Sequence, residues 1–320
     1  MAWDDAALDD VASYAQSQKT TGLLVIQDRA VVLERNWPLP PGSEAFLARM
    51  THGVTAEGAL LEDVASQQKS FVGVLIAIGV DKGLIDIAAP VSNYLGSEWT
   101  KADAAVERAI TVRHLMDMTS GLTEAMTREA APDTRYFYNT PAYAQLKPVL
   151  EKVSGSTLEE LTQAWLAGPA GMADTGWRQR PAELAAASGN ATGLATTPRD
   201  VARMGQMVLD GGLAADGTRI VSEAELAALF TRTPVNPSYG RLWWVNDGAF
   251  AINPQGVRTE GRFVPAAPTD TVLALGAAGR SLGVSPSRRL IVVRLGQQPD
   301  DPAFLGRLWS RAMKAAPAID

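Results

Sequence analysis

The sequence predicts an α+β fold, an antiparallel β-sheet flanked by helices with an inserted, mostly helical domain. Strand-like apolar runs stand near both ends of the chain, at 22–35 and 271–295, while helical periodicity dominates between them. Pairing of the first strands with the last would make the helical middle an insertion in one sheet. No internal repeat or low-complexity tract is present. The expected division assigns 1–60 and 190–320 to the sheet part and 61–189 to the helical part, forming one intertwined unit.

Each element has its own signal. From Asp4 to Ser17, Ala7, Leu8, Val11, Ala12 and Tyr14 recur among acids, the mark of a surface helix with one buried stripe. Gly22–Gln27 and Ala30–Arg35 flank Asp28-Arg29, a hairpin pattern. Trp37 to Gly58, rich in Pro, Gly and polar residues, reads as a crossing loop. Ser70 to Val80 is apolar nearly all round, which predicts a helix buried on most sides. A turn and short helix are expected at Pro90–Gly96. Thr111 is placed to cap the helix that follows it. Tyr143–Val153 and Leu158–Leu166 are amphipathic and stop at Gly155 and Gly168. Thr197 caps a helix with Pro198 at its first position. Strand material follows at Arg241–Asn246, Thr271–Leu275 and Leu290–Leu295, then a final helix at Phe304–Lys314.

The 320 residues, 46% hydrophobic and 20% charged, suit a soluble globular protein with a sizeable core. A net charge of −6, with a pI near 5.1 and scattered basic residues, argues against nucleic acid as a partner. The absence of cysteine excludes disulfides, thiolate catalysis and Cys-ligated metal. His52 and His114 are far apart in sequence and are read as structural or surface residues. No metal and no cofactor are expected. The N-terminal Met-Ala-Trp-Asp-Asp has no basic leader, so a cytoplasmic location is the default, or a periplasmic one if a leader has been removed. No apolar run reaches about 18 residues, so no membrane association is expected. A monomer or homodimer is expected.

The chemistry concentrates between Asp63 and Val72. A helix starting near Ser66 puts Ser66 and Lys69 on one face, because residues three apart are neighbours on a helix. A serine hydroxyl needs a base to take its proton, and a lysine whose pKa is lowered by burial or a cationic neighbour can serve. The N–H groups at the start of the helix suit a developing oxyanion. In isolation Ser-x-x-Lys also fits an ordinary N-cap and a solvated lysine. The buried helix behind it favours partial desolvation of both side chains.

Ser66-Gln67-Gln68-Lys69, followed by Phe71-Val72-Gly73 and Lys82-Gly83-Leu84-Ile85-Asp86, resembles the Ser-x-x-Lys block of the serine β-lactamase-like superfamily. That group includes class C β-lactamases, penicillin-binding proteins, family VIII esterases and nylon-oligomer hydrolases. Ile110–Leu115 with Met118–Leu122, Tyr138–Tyr143, Gly193–Asp200 and Tyr239–Trp244 are similar to further blocks of the family, in the same order and across most of the chain. The fold implied is a β-lactamase/transpeptidase-like one, a helical domain beside a helix-flanked antiparallel sheet. Two departures stand out. The family's Tyr-x-Asn is here Tyr138-Asn139-Thr140, and its Lys-Thr-Gly is Ala277-Ala278-Gly279, with no basic group for a β-lactam carboxylate.

The resemblance implies a serine hydrolase working through an acyl-enzyme, with Ser66 as nucleophile, Lys69 as base and Tyr138 as relay and proton donor. It implies an oxyanion hole from the N–H groups of Ser66 and Arg280. Asn139, Thr140, Ala277, Ala278, Gly279 and Trp244 are candidates for substrate contact, and Trp243 and Trp244 are also read as core. The Arg280 side chain fits either a solvated group or a contact with an acidic leaving group. A small ester or amide is the expected substrate. A linear-amide hydrolase of the nylon-oligomer type, a weak β-lactamase and a non-catalytic penicillin-recognising relative are the alternatives.

Overall fold

The computed structural model describes residues 2–318. Its largest sheet has six strands, in the order Ala30–Asn36, Thr20–Gln27, Leu290–Gly296, Arg280–Ser285, Val272–Gly276 and Trp244–Val245. Every neighbouring pair is antiparallel. The first strand therefore pairs with the last, Leu24 opposite Val293 and Val25 opposite Val292, as the predicted α+β architecture requires. The hairpin between the first two strands turns at Asp28 and Arg29, both with positive φ, 49° and 66°. That handedness matches the twist of paired strands.

Helices cover both faces of this sheet. Leu282 and Gly283 are successive strand residues and so point to opposite sides. A Cβ on Gly283 would lie 2.3 Å from the Trp309 ring, and one on Gly205 would lie 2.9 Å from Leu282. The C-terminal helix Phe304–Ala315, paired with Asp5–Ser17, thus covers one face, and Pro198–Leu209 covers the other. Both caps expected from sequence are formed: the Thr111 side chain accepts from the N–H of His114, and that of Thr197 from Asp200. His114 returns the first contact, its Nδ1 accepting from the Thr111 N–H, so this histidine is structural.

The middle of the chain is centred on the helix Gln68–Asp81, whose residues Gln68 to Gly79 are all buried. It packs against Leu146–Ser154, Glu223–Ala228 and the Val272–Gly276 strand. Around it the sequence reading missed a second antiparallel sheet, in the order Thr51–Val54, Leu60–Asp63, Thr192–Thr196 and Gly176–Gln179. Strands of four or five residues leave too little alternation to stand out from a helical background. The stretch read as a crossing loop holds a helix, Glu44–Met50, with no buried residue. Its breakers Pro38, Pro40, Pro41 and Gly42 masked it. The expected Arg241–Asn246 strand shrinks to Trp244–Val245, because Leu242 takes φ 64° and turns the chain. No helix among the described residues is long and apolar enough to cross a membrane.

Candidate active site

Ser66 sits in a single 3₁₀ turn, Ala65–Gln67, that runs directly into the buried helix Gln68–Asp81. The turn is made locally. Asp63 Oδ1 accepts from the Ala65 N–H at 2.8 Å, and Ala65 takes φ 51°, a left-handed conformation uncommon for a residue with a Cβ. It is held from the sheet side as well. Gln67 Nε2 donates to the Ala274 carbonyl at 3.2 Å, and Ser70 Oγ donates to the Leu242 carbonyl at 2.7 Å. Gly276 has to be glycine, since a Cβ there would lie 2.3 Å from the Val64 carbonyl oxygen.

Lys69 faces inward and is only 2% exposed. Its Nζ lies 3.0 Å from Ser66 Oγ and 3.0 Å from Thr140 Oγ1, with the Tyr138 and Tyr143 rings 4.7 and 4.8 Å away. Both hydrogen-bond partners are neutral hydroxyls. Burial first, and the Arg180 charge second, push the amine down from 10.5 to about 7. Arg180 is in turn held by Asp63, whose carboxylate receives its Nε and Nη2 at 2.7 and 2.9 Å. The amine is therefore substantially unprotonated at neutral pH and able to accept a proton from Ser66.

Tyr138 completes the constellation. Its ring stacks on Trp244 with centroids 6.2 Å apart and meets Tyr239 edge-on at 6.1 Å. Burial raises the phenol to about 12. The hydroxyl is protonated at neutral pH, and the ring lies beside the amine that is bonded to Ser66, 4.7 Å from Lys69 Nζ. The structure thus brings Ser66, Lys69 and Tyr138 together.

Of the remaining candidates, some line the cleft and others do not. Thr140 takes the position beside Lys69. Asn139 does not reach the cleft and corrects the expectation of a substrate contact. It is 1% exposed, its Oδ1 caps the Thr140–Ala144 helix through the Ala142 N–H, and its Nδ2 donates to the carbonyls of Leu122 and Thr123. Trp244 is likewise withdrawn, sandwiched between Tyr138 and Phe263, and acts as backing for the phenol. Ala277 and Ala278 line the cleft, whereas the space beside Gly279 is filled by the Pro299 ring.

Ser66 and Arg280 both border the cleft, and among the described residues nothing accepts the Ser66 N–H. The Arg280 side chain is neither solvated nor directed at a leaving group. It is 1% exposed and bonded to the Ala277 carbonyl and to buried Glu62.

The cleft has a volume of about 550 Å³. Phe46 and Met50 from the helix Glu44–Met50, with Pro141 and Leu184, give it apolar walls. None of these was singled out from sequence, and neither were Arg180 and Asn190. Behind Asn190, buried Lys147 donates to its Oδ1 at 2.6 Å and to Thr192 Oγ1 at 2.8 Å. Burial chiefly, then Arg180, lowers this second lysine to about 6. A lysine inside the otherwise apolar stripe of Leu146, Val149 and Leu150 was the one available signal for it.

The beta-lactamase family model matches residues 9–316. The 6-aminohexanoate-dimer hydrolase of Paenarthrobacter ureafaciens is 24% identical over 307 residues, covering 81% of this chain and 73% of its own. Among solved structures, a class C beta-lactamase superposes with a TM-score of 0.71 at 14% identity, covering 98% of this chain and 97% of the other. A family VIII carboxylesterase superposes with a TM-score of 0.68 at 17% identity, with 97% and 96% covered.

Proposed function

Because the chain belongs to the beta-lactamase family, we propose that it is a serine hydrolase that cleaves ester or amide bonds of small acyl substrates through an acyl-enzyme on Ser66. Ser66 Oγ attacks the carbonyl carbon while its proton passes to Lys69, forming a tetrahedral oxyanion held by the N–H groups of Ser66 and Arg280. Collapse breaks the bond to the leaving group, which leaves with a proton supplied through Tyr138. Water then attacks the ester on Ser66, with Lys69 and Tyr138 again handling the proton, and the acid is released. The observation that carries the reading is Lys69: a buried amine, 3.0 Å from Ser66 Oγ, with its pKa lowered to about 7.

The apolar walls of the cleft favour small, weakly charged acyl groups. The relative that hydrolyses 6-aminohexanoate dimers supports a linear amide as the second substrate class. β-Lactam hydrolysis ranks below both. Arg280 and Arg294, the two arginines bonded to the Ala277-Ala278-Gly279 turn, are both buried and turned into the protein, so neither receives a substrate carboxylate. The reading is tested by assaying p-nitrophenyl butyrate, a linear aminohexanoate amide and nitrocefin with the wild type and Ser66→Ala. Turnover of at least one substrate that disappears in Ser66→Ala is expected. Turnover that survives in Ser66→Ala removes Ser66 as nucleophile. A wild type inert towards all three favours a non-catalytic relative.

A further inference from the structure

We infer that three buried charged residues, Glu62, Arg280 and Arg294, act as positioning residues that hold the Ala277–Gly279 turn in the shape that aims the Arg280 N–H at the oxyanion. The inference rests on the acyl-enzyme reading and adds a component to it. The turn is a soft element on its own. Ala278 takes φ 63° and Gly279 φ 70°, so two successive residues occupy the left-handed region, one of them with a Cβ. Such a turn relaxes by flipping a peptide plane. Because each peptide is planar, holding the Ala277 and Ala278 carbonyls fixes the two peptide planes that lead into the Gly279–Arg280 peptide, and Arg280 itself is fixed by its pairing opposite Gly276, so the plane carrying the Arg280 N–H is bracketed from both sides.

Both carbonyls that would have to swing are held from behind. Arg280 Nη1 donates to the Ala277 carbonyl at 2.9 Å, and Arg294 Nη1 donates to the Ala278 carbonyl. Arg294 is itself aimed by three acceptors. Its Nε donates to Thr20 Oγ1 at 2.9 Å, and its Nη2 donates to the carbonyls of Gln18 and Gln297 at 2.9 and 2.8 Å. Arg280 Nη2 reaches Glu62 Oε2 at 3.3 Å, and Thr21 Oγ1 donates to Glu62 Oε1.

Glu62 belongs to the strand Leu60–Asp63 that delivers Ser66 four residues later. One carboxylate therefore ties the segment carrying the Ser66 N–H to the turn carrying the Arg280 N–H, the two expected halves of the oxyanion hole. Fold stability alone is a weak reason to keep such a cluster, since buried ion pairs replaced by packed apolar residues often cost nothing. The cluster also leaves Arg280 Nε buried with no partner among the described residues. A guanidinium fork that must hold one carbonyl and one carboxylate at once accounts for both facts.

The test compares the wild type with Arg280→Lys, Arg294→Lys and the milder Thr20→Val, which removes only the hydroxyl that aims Arg294. Each is assayed with p-nitrophenyl butyrate below its unfolding midpoint. Each is also titrated with an alkylboronic acid, whose tetrahedral adduct on Ser66 puts an oxygen where the oxyanion forms. In the lysine variants kcat and boronate affinity should fall together by roughly tenfold, a fraction of the loss of a whole oxyanion donor. KM should stay within about threefold of wild type. Thr20→Val should move in the same direction by a smaller factor. A folded lysine variant with wild-type kcat and boronate affinity, or one in which KM alone moves, overturns the inference. If neither lysine variant folds, Thr20→Val decides by the same signs. A wild type that neither turns over ester nor binds boronate overturns the acyl-enzyme reading and the inference with it.

Discussion

Under the proposed mechanism the protonation state of Lys69 sets the rate of acylation, which gives a quantitative prediction. Only the neutral amine accepts the Ser66 proton. With a pKa of about 7, about a tenth of the enzyme is competent one pH unit below that value, about half at it and about nine-tenths one unit above. kcat/KM for p-nitrophenyl butyrate should therefore climb nearly tenfold per unit on the acid side, bend near neutrality and level off above about pH 8. The drop from 10.5 corresponds to about 5 kcal/mol of preference for the neutral form.

The same shift links to stability. Between about 7 and 10.5 the unfolded chain binds more protons at this site than the folded one, so this site's contribution to folding stability rises with pH across that window. The slope is at most about 1.4 kcal/mol per pH unit. Lys69→Met should remove this part of the slope, with acylation falling about 10² to 10⁴-fold. The assay is initial rates across the pH range, with urea unfolding at the same pH values for both proteins. A wild-type rate flat from about pH 5 to 9, or one that begins to rise only near the ordinary lysine value, refutes Lys69 as a base tuned by burial.

Tyr138→Phe keeps the ring on Trp244 and Tyr239 and loses only the hydroxyl, so kcat should fall about 10² to 10³-fold with little change in thermal midpoint, read by ester kinetics and calorimetry. Thr140→Val removes one of the two hydroxyls on Lys69 Nζ and should lower kcat/KM by roughly tenfold, the worth of about one hydrogen bond, in the same assay. Asn139→Ala strips the cap from the Thr140–Ala144 helix and leaves the Leu122 and Thr123 carbonyls short of a donor. It should cost about 1–3 kcal/mol of stability by urea unfolding.

What was legible in the sequence was what local chemistry determines. The helix behind Ser66 is apolar on every side, and Thr111, Thr197 and Pro198 are cap signals that do not depend on tertiary contacts. The hairpin around Asp28-Arg29 and the antiparallel sheet joining both ends followed from pattern and order. The site was harder wherever a side chain's direction depends on something distant. Asn139 and Thr140 are adjacent, and only a cap geometry separates them. The Asn-Thr-Pro order, with Pro141 inside the first turn, already marked Asn139 as the N-cap.

Arginine is rarely buried, and the acid that holds Arg280 stands 218 residues earlier in the chain, so nothing local to Arg280 announced its burial. The same holds for Arg180 with Asp63, 117 residues apart. The helix that brings Phe46 and Met50 to the cleft has no buried face and no periodicity to detect.

The central claim is that Ser66 carries the acyl group between the two halves of the reaction. The wild type is mixed with p-nitrophenyl butyrate, quenched in acid within the first turnovers, digested and weighed by mass spectrometry. The account predicts a gain of one butyryl group on the peptide containing Ser66, absent in Ser66→Ala. A butyryl group found on another residue, or steady turnover with Ser66 never modified on any timescale sampled, would contradict it.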